Sequence, residues 1–321
     1  MKFKIDITDE DKKYIFECYE DIFARNYWSE GKYVKEFEEL FGNYVGAEAV
    51  ATSSWAGAAM AVLEYIGVGG ETVLVPSNTF MATPLAAVKA GARVEFVDCN
   101  KDDLCMSADD LEEKIKKFKP KAVIVVHIGG HIAFDIFEIM DISKKHGVIL
   151  LEDCAHAHGA EYQGKKAGTF GLAGMYSFYS TKTITTGEGG ILVSNDKALC
   201  EFARKYRNYG KFEYEVLGLN YRMNEFTAVL GVLQTRKLPK IIEWKNQKAR
   251  EYDKTYKNHL KLSEGMISGY YKYIVFDPIE NSTGKVYDQP CHRIMKRDYD
   301  LPNTDWVAQN HWCAPLFYNG E

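Results

Sequence analysis

The chain has 321 residues, of which 46% are hydrophobic and 26% charged, and its net charge is -5. That length is enough for one large domain and a smaller one, and the mixture is ordinary for a globular protein. The mildly acidic balance gives no reason to expect nucleic acid or an anionic membrane as a partner, so positive charge for an anionic ligand must be local.

Residues 1–8 hold no apolar core of signal-peptide length, and no later stretch approaches a membrane span. The seven cysteines form no C-x-x-C pair. A reduced, cytoplasmic chain is the expectation.

In chain order, a helical N-terminal segment leads to a short strand near 49–51 and an Ala-rich helix over 56–66. Between them Thr52-Ser53-Ser54-Trp55-Ala56 is a candidate anion site, because helix N-terminal amides and hydroxyls suit a phosphate. A plain Ser N-cap fits that segment equally well. Strands follow at 73–75, 94–97, 122–126, 148–151 and 190–193, with helices at 82–90, 108–118 and 134–146 between them. Continuous apolar strands alternating with helices predict an α/β fold with a mostly parallel central sheet flanked by helices.

Ligands collect at the carboxyl ends of such strands, and the polar residues fall there. Pro76-Ser77-Asn78-Thr79-Phe80 follows one strand, His127 another, and Asp153 ends a third. Beyond 240 a long charged helix is expected over about 241–260, then a strand over 270–276. The expected division is a large domain over 1–240 and a smaller C-terminal α+β domain over 241–321. The closing segment Pro315–Glu321 shows no helix, which leaves open whether the small domain is complete.

Lys182 stands in Tyr176-Ser177-Phe178-Tyr179-Ser180-Thr181-Lys182-Thr183, ahead of Gly187-Glu188-Gly189-Gly190. With Asp153 upstream, this order suits a pyridoxal phosphate site. The lysine amine would hold the aldehyde as a Schiff base, and the carboxylate would keep the pyridine nitrogen protonated. His156 is close enough in sequence to approach the same ring, Ser177 offers a hydroxyl to the phosphate, and Phe80 is a candidate for stacking on the ring or for the core. A metal set of Asp153, His156 and His158 is conceivable from ligand types but leaves Lys182 and the glycine loop unexplained. A dinucleotide site fails on its motif, because Gly67-Val68-Gly69-Gly70 precedes a strand.

Together these segments resemble the DegT/DnrJ/EryC1/StrS family of pyridoxal-phosphate-dependent sugar and cyclitol aminotransferases. The likeness rests on Phe37-Glu38, Val75–Phe80, Phe96-Val97-Asp98, Val126-His127 with Gly129, Glu152-Asp153-Cys154-Ala155-His156, Ser177-Phe178 with Lys182, Gly187–Gly190 and Gly218-Leu219-Asn220-Tyr221-Arg222-Met223. It implies the fold type I of aspartate aminotransferase and amino transfer from glutamate or glutamine to a keto sugar, nucleotide-linked, or a keto-cyclitol. It also implies Lys182 as the Schiff-base residue, Asp153 at the pyridine nitrogen, Phe80 on the ring and Ser177 at the phosphate. Asn220 matches the residue that reaches the phosphate from a neighbouring subunit, hence a homodimer with shared sites.

Trp55-Ala56 replaces the family's usual Gly/Ala-Thr, which leaves Ser54, Trp55 and Ala56 to bind phosphate through backbone amides. His156 replaces a common Gln. Relatives with histidine at the lysine position are dehydratases, and Lys182 argues against that. The alternative is a homologue that binds the cofactor without transaminating and serves a regulatory role.

Overall fold

A computed structural model of the chain describes residues 4–318. Two helices open it, α1 (Asp9–Arg25) and α2 (Lys32–Val45). Thr8 caps α1 reciprocally: its hydroxyl accepts from the Asp11 amide, and the Asp11 carboxylate accepts from the Thr8 amide.

Strand β1 (Glu48–Thr52) and helix α3 (Trp55–Tyr65) follow, then alternating units: β2 (Thr72–Pro76), α4 (Ala82–Lys89), β3 (Arg93–Val97), α5 (Ala108–Phe118), β4 (Ala122–Val126), α6 (Ile136–His146) and β5 (Ile149–Asp153). A small hairpin, β6 (Glu161–Tyr162) and β7 (Lys165–Lys166), precedes β8 (Ala173–Ser177), β9 (Gly190–Ser194) and α7 (Lys197–Tyr206).

Seven strands form one sheet in the order β1-β9-β8-β5-β4-β2-β3. Only β9 is reversed: it runs antiparallel to both β1 and β8, whereas the other pairings are parallel. The unbroken apolar run of β4 shows why. Val123 and Val125 pack into the core beneath α2, α5 and α6, while Ala122 and Ile124 pack beneath α3, α4 and α7. Successive side chains on a strand face opposite ways, so a strand covered on both sides must be apolar throughout.

Helix α8 (Glu225–Thr255) begins well before the expected 241–260 and ends earlier. Asn224 caps it, and the buried Glu225 carboxylate accepts from the amides of Gly31, Tyr33 and Val34 at 2.9–3.1 Å, tying it to the start of α2. Its first half is apolar and packs on α2, with Gly231 against the Phe37 ring. Pro239 lies inside the helix and hides its continuity in the sequence. The expected division at 240/241 thus falls within α8.

Beyond it lie β10 (Met266–Ile267), β11 (Tyr273–Val275), α9 (Cys291–Ile294), α10 (Pro302–Gln309) and β12 (Trp312–Ala314). β11 pairs antiparallel with β12, and β10 joins the β6–β7 hairpin. Among the described residues no helix is long and apolar enough to cross a membrane.

Candidate active site

Strand register gathers the chemistry-bearing residues at one edge of the sheet. Val126 pairs with Asp153, Asp153 with Met175, Ser177 with Gly190, and Gly190 with Thr52. The carboxyl ends of four strands therefore meet the start of the reversed strand β9. A cavity of about 750 Å³ opens there. Ser54, Trp55, Ala56, Phe80, Asp153, His156, Ser177 and Lys182 all line it. Asn220 does not: it is exposed and bridges to Asn208.

Asp153 is buried, and two donors fix it. The Thr83 hydroxyl donates to Oδ2 at 2.8 Å, and the Ala155 amide donates to Oδ1 at 3.0 Å. Burial pushes its carboxyl above the ordinary value, opposed by those bonds and by the charge of Lys182. A carboxylate so placed favours a protonated partner.

Burial pulls the Lys182 amine down from 10.5 to about 8; Asp153 opposes that shift and Lys272 adds to it. An amine in that range keeps a neutral, nucleophilic fraction near neutral pH. Its loop is knitted by its own hydroxyls. Thr185 Oγ1 donates to the Phe178 carbonyl at 2.8 Å, Thr186 Oγ1 to the Glu188 carbonyl at 2.7 Å, and Ser180 Oγ to the Gly187 carbonyl at 3.1 Å. The crowding of Ser and Thr around Lys182 is therefore chiefly internal scaffolding.

The three residues of the expected anion site, Ser54, Trp55 and Ala56, stand together at the cavity wall where α3 begins. Ser54 Oγ accepts from the Gly57 amide at 3.4 Å as the N-cap of α3, and the N-terminal residues Ser54, Trp55 and Ala56 line the cavity. A Cβ on Gly190 would lie 2.2 Å from the Ser54 carbonyl oxygen, so glycine is required where β9 passes the start of α3. Trp55 is buried, and its Nε1 donates to the Met175 carbonyl at 3.1 Å, anchoring α3 to β8. Ser177 Oγ, at the end of β8, accepts from the Tyr179 amide at 3.3 Å. Phe80 is 64% exposed at the cavity, not core.

His156 is buried and neutral, since burial and the charges of Lys182 and Lys272 push its pKa well down. Its Nε2 is 3.3 Å from the Tyr287 hydroxyl, and its Nδ1 takes no hydrogen bond from the described residues. His127, by contrast, is framework. Its Nε2 donates to Glu152 at 3.0 Å while its Nδ1 accepts from the Ala133 amide at 3.2 Å. Glu152 also accepts from the amides of Gly168, Phe170 and Gly171, each at 2.7 Å. His158 lies outside the cavity lining, enclosed by Phe41, Tyr176 and Phe178. That separates it from the Asp153–His156 pair of the metal reading.

Three residues of the site carry no mark in the sequence reading. Tyr271 and Tyr287 line the cavity from the far C-terminal part of the chain. Thr83 offers a faint signal, a hydroxyl one helical turn beyond Thr79, with which it shares a 3.0 Å contact.

The sequence model of the DegT/DnrJ/EryC1/StrS aminotransferase family matches residues 9–267. The chain is 34% identical over 256 residues to GDP-perosamine synthase of Escherichia coli O157:H7, covering 77% of this chain and 69% of that protein. It is 36% identical over 240 residues to UDP-4-amino-4,6-dideoxy-N-acetyl-beta-L-altrosamine transaminase of Campylobacter jejuni, covering 71% and 63%. The crystal structure of the aminotransferase TlmJ from Streptoalloteichus hindustanus superposes with a TM-score of 0.88 at 28% identity, over 98% of this chain and 93% of that one. The fold of these enzymes is the one expected from the resemblance, a mostly parallel sheet flanked by helices with a separate small antiparallel sheet. The chain belongs to the DegT/DnrJ/EryC1/StrS aminotransferase family.

Proposed function

We propose that the chain uses pyridoxal phosphate to move an amino group from glutamate or glutamine to a keto sugar carried on a nucleoside diphosphate, or to a keto-cyclitol. The observation that carries this is the sharing of one cavity by a buried carboxylate, Asp153, and a lysine, Lys182, whose amine is shifted to about 8. The sugar arm draws on the relatives, whose names carry a nucleoside diphosphate and an amino sugar.

The residues present fit the cofactor. The amide-rich start of α3, with Ser54 and Ser177, suits a phosphate. The unpartnered Nδ1 of His156 offers a polar contact to a ring substituent. Phe80 is free to cover a ring face. Trp55 anchors the start of α3 through its indole bond to Met175, which supports phosphate binding by backbone amides without a hydroxyl at position 56.

When bound, the cofactor supplies an aldehyde and a protonated ring that takes up carbanion electrons. Asp153 would hold the proton at the ring nitrogen. Lys182 Nζ would be the base that takes the proton from the donor α-carbon and the acid that passes it to the cofactor carbon bearing the transferred nitrogen. Two half-reactions through one site give ping-pong kinetics.

Asn220 supports a homodimer with shared sites, since it is exposed and outside the lining of its own cavity, on a segment where Phe212 and Leu217 are 83% and 92% exposed. Clustered exposed apolar residues mark an interface. All seven cysteines are buried and unpaired, in keeping with a cytoplasmic setting. A functional division near 240/241 would be a change of packing partners along α8, not a break in the chain.

Borohydride reduction of the cofactor-loaded protein, followed by peptide mass spectrometry, tests the reading. Cofactor mass on Lys182, with amino transfer from glutamate or glutamine to a panel of nucleotide keto sugars and inososes, is expected. A label elsewhere, or none, ends it.

A further inference from the structure

The turn at Gly129-Gly130 is left unexplained by the reading above, and it explains where Tyr271 sits. The Lys272 amide donates to the Gly129 carbonyl at 2.9 Å, and the Gly269 amide to the Gly130 carbonyl at 2.7 Å. Gly130 has a φ of 107°, and a Cβ there would lie 2.5 Å from the Tyr271 amide nitrogen. Any side chain would lift the segment 269–272 away from the cavity. Glycine lets the two backbones touch and so fixes the Tyr271 ring.

That ring has two contacts in the site besides its place in the wall. It stacks on His156, with centroids 4.0 Å apart and planes 21° from parallel. The Lys182 amine lies 5.0 Å from its centroid. Its hydroxyl is 3.2 Å from Thr181 Oγ1, on the residue just before Lys182. One side chain from the C-terminal part of the chain therefore meets the amine, the hydroxyl of the residue before it and the neighbouring imidazole.

We infer that Tyr271 is the positioning residue for the free Lys182 amine: its ring is where the ammonium rests when Lys182 is bonded to no ligand, and its hydroxyl steadies the loop through Thr181. This rests on the reading of Lys182 as the attachment residue. Lysine carries its charge on a flexible four-carbon arm with many rotamers. The negative face of an aromatic ring attracts an ammonium and selects among them. The amine's other charged and titratable neighbours are Asp153 on β5, His156 and His158 beyond it, and Lys272, whose own amine lies 5.2 Å from the Tyr271 centroid. Glu188 lines the same cavity, and Lys4 and Lys245 share a smaller one with Lys182. Asp153 favours the ammonium, whereas Lys272 and burial oppose it. The ring works with Asp153.

The test uses protein free of cofactor. Trace acetylation across a pH series, with the Lys182 and Lys272 peptides quantified separately by mass spectrometry, gives the pKa of each amine. Phenylalanine and progressively fluorinated phenylalanines are placed at position 271, which holds the shape and drains the ring's negative face. The pKa of Lys182 is expected to stay with Tyr271→Phe and to fall along the fluorinated series by roughly half a unit to one and a half units. Amide exchange at 181–183 is expected to quicken severalfold in Tyr271→Phe, which loses the Thr181 contact. A flat pKa series overturns the resting-place assignment even if stability changes, and unchanged exchange overturns the role of the hydroxyl. Neither measurement involves cofactor or substrate, so failure of the borohydride labelling would strike the proposed function alone.

Discussion

Thr83→Val tests how Asp153 is held. The substitution keeps the side-chain shape and removes the 2.8 Å bond from Thr83 Oγ1 to Oδ2, leaving the Ala155 amide as the remaining support of the carboxylate. A hydrogen bond to an ionised acceptor contributes about 1.5–3 kcal/mol, roughly twice a neutral one. The cofactor-free variant should therefore be less stable than the parent by about 2 kcal/mol at pH 8.

The pH dependence follows from the direction of the Asp153 shift. Its folded value is raised above 3.8 by burial, so the folded state binds its proton more readily than the unfolded chain. The ionised form weakens the fold at neutral pH, and that penalty disappears as pH falls below the folded value towards 3.8. Thr83 relieves part of the penalty, so the deficit of the variant should be largest above the folded value and shrink to about 1 kcal/mol in acid. Urea unfolding of both proteins over a pH series measures it. A deficit that does not change with pH, or none at pH 8, would refute the assignment of Thr83 as the support of the carboxylate.

Further outcomes can be checked alongside. Lys182→Met should stabilise the cofactor-free protein by about 1–3 kcal/mol below pH 8. Because the folded amine is lowered to about 8 from 10.5, that gain should fade as pH climbs between those values. Trp55→Phe should lose about 1 kcal/mol with its bond to Met175, yet bind pyridoxal phosphate within about twofold of the parent, since the α3 amides remain; equilibrium dialysis decides this. Gly190→Ala should destabilise by about 3 kcal/mol or more, because the 2.2 Å approach is to backbone and cannot be relieved by a rotamer; denaturant midpoints report it. Leu217→Lys should shift the protein towards monomer in light scattering and weaken amino transfer together with it.

Much of the sheet was legible because strands covered on both faces must be apolar end to end, as 122–126 are. β8 is not legible that way: Ala-Gly-Met-Tyr-Ser lacks the β-branched residues that mark strands, and it is a strand because β5 and β9 pair with it. The first half of α8 was hidden by its apolarity and by Pro239, which reads as a boundary in isolation. Within the site, Asp153 and Lys182 were legible from order and flanking residues. Tyr271 and Tyr287 were not, because nothing local distinguishes a tyrosine that travels back to the cavity from one that packs elsewhere. His127 looked like a ligand-facing residue at a strand end, but its partners, Glu152 and the Ala133 amide, turn it into scaffold.

Glu152 and Asp153 are adjacent acids at the tip of one strand, and the pleat sends them to opposite layers: one gathers the amides of Gly168, Phe170 and Gly171, the other faces the cavity. The two carboxyls are therefore not interchangeable despite equal charge. An exchange of the two, Glu152→Asp with Asp153→Glu, would conserve composition, charge and polarity while leaving each acid one methylene from where its donors wait. Drift at this dipeptide is thus confined by reach rather than by electrostatics, and the same short stretch anchors the architecture and the chemistry at once.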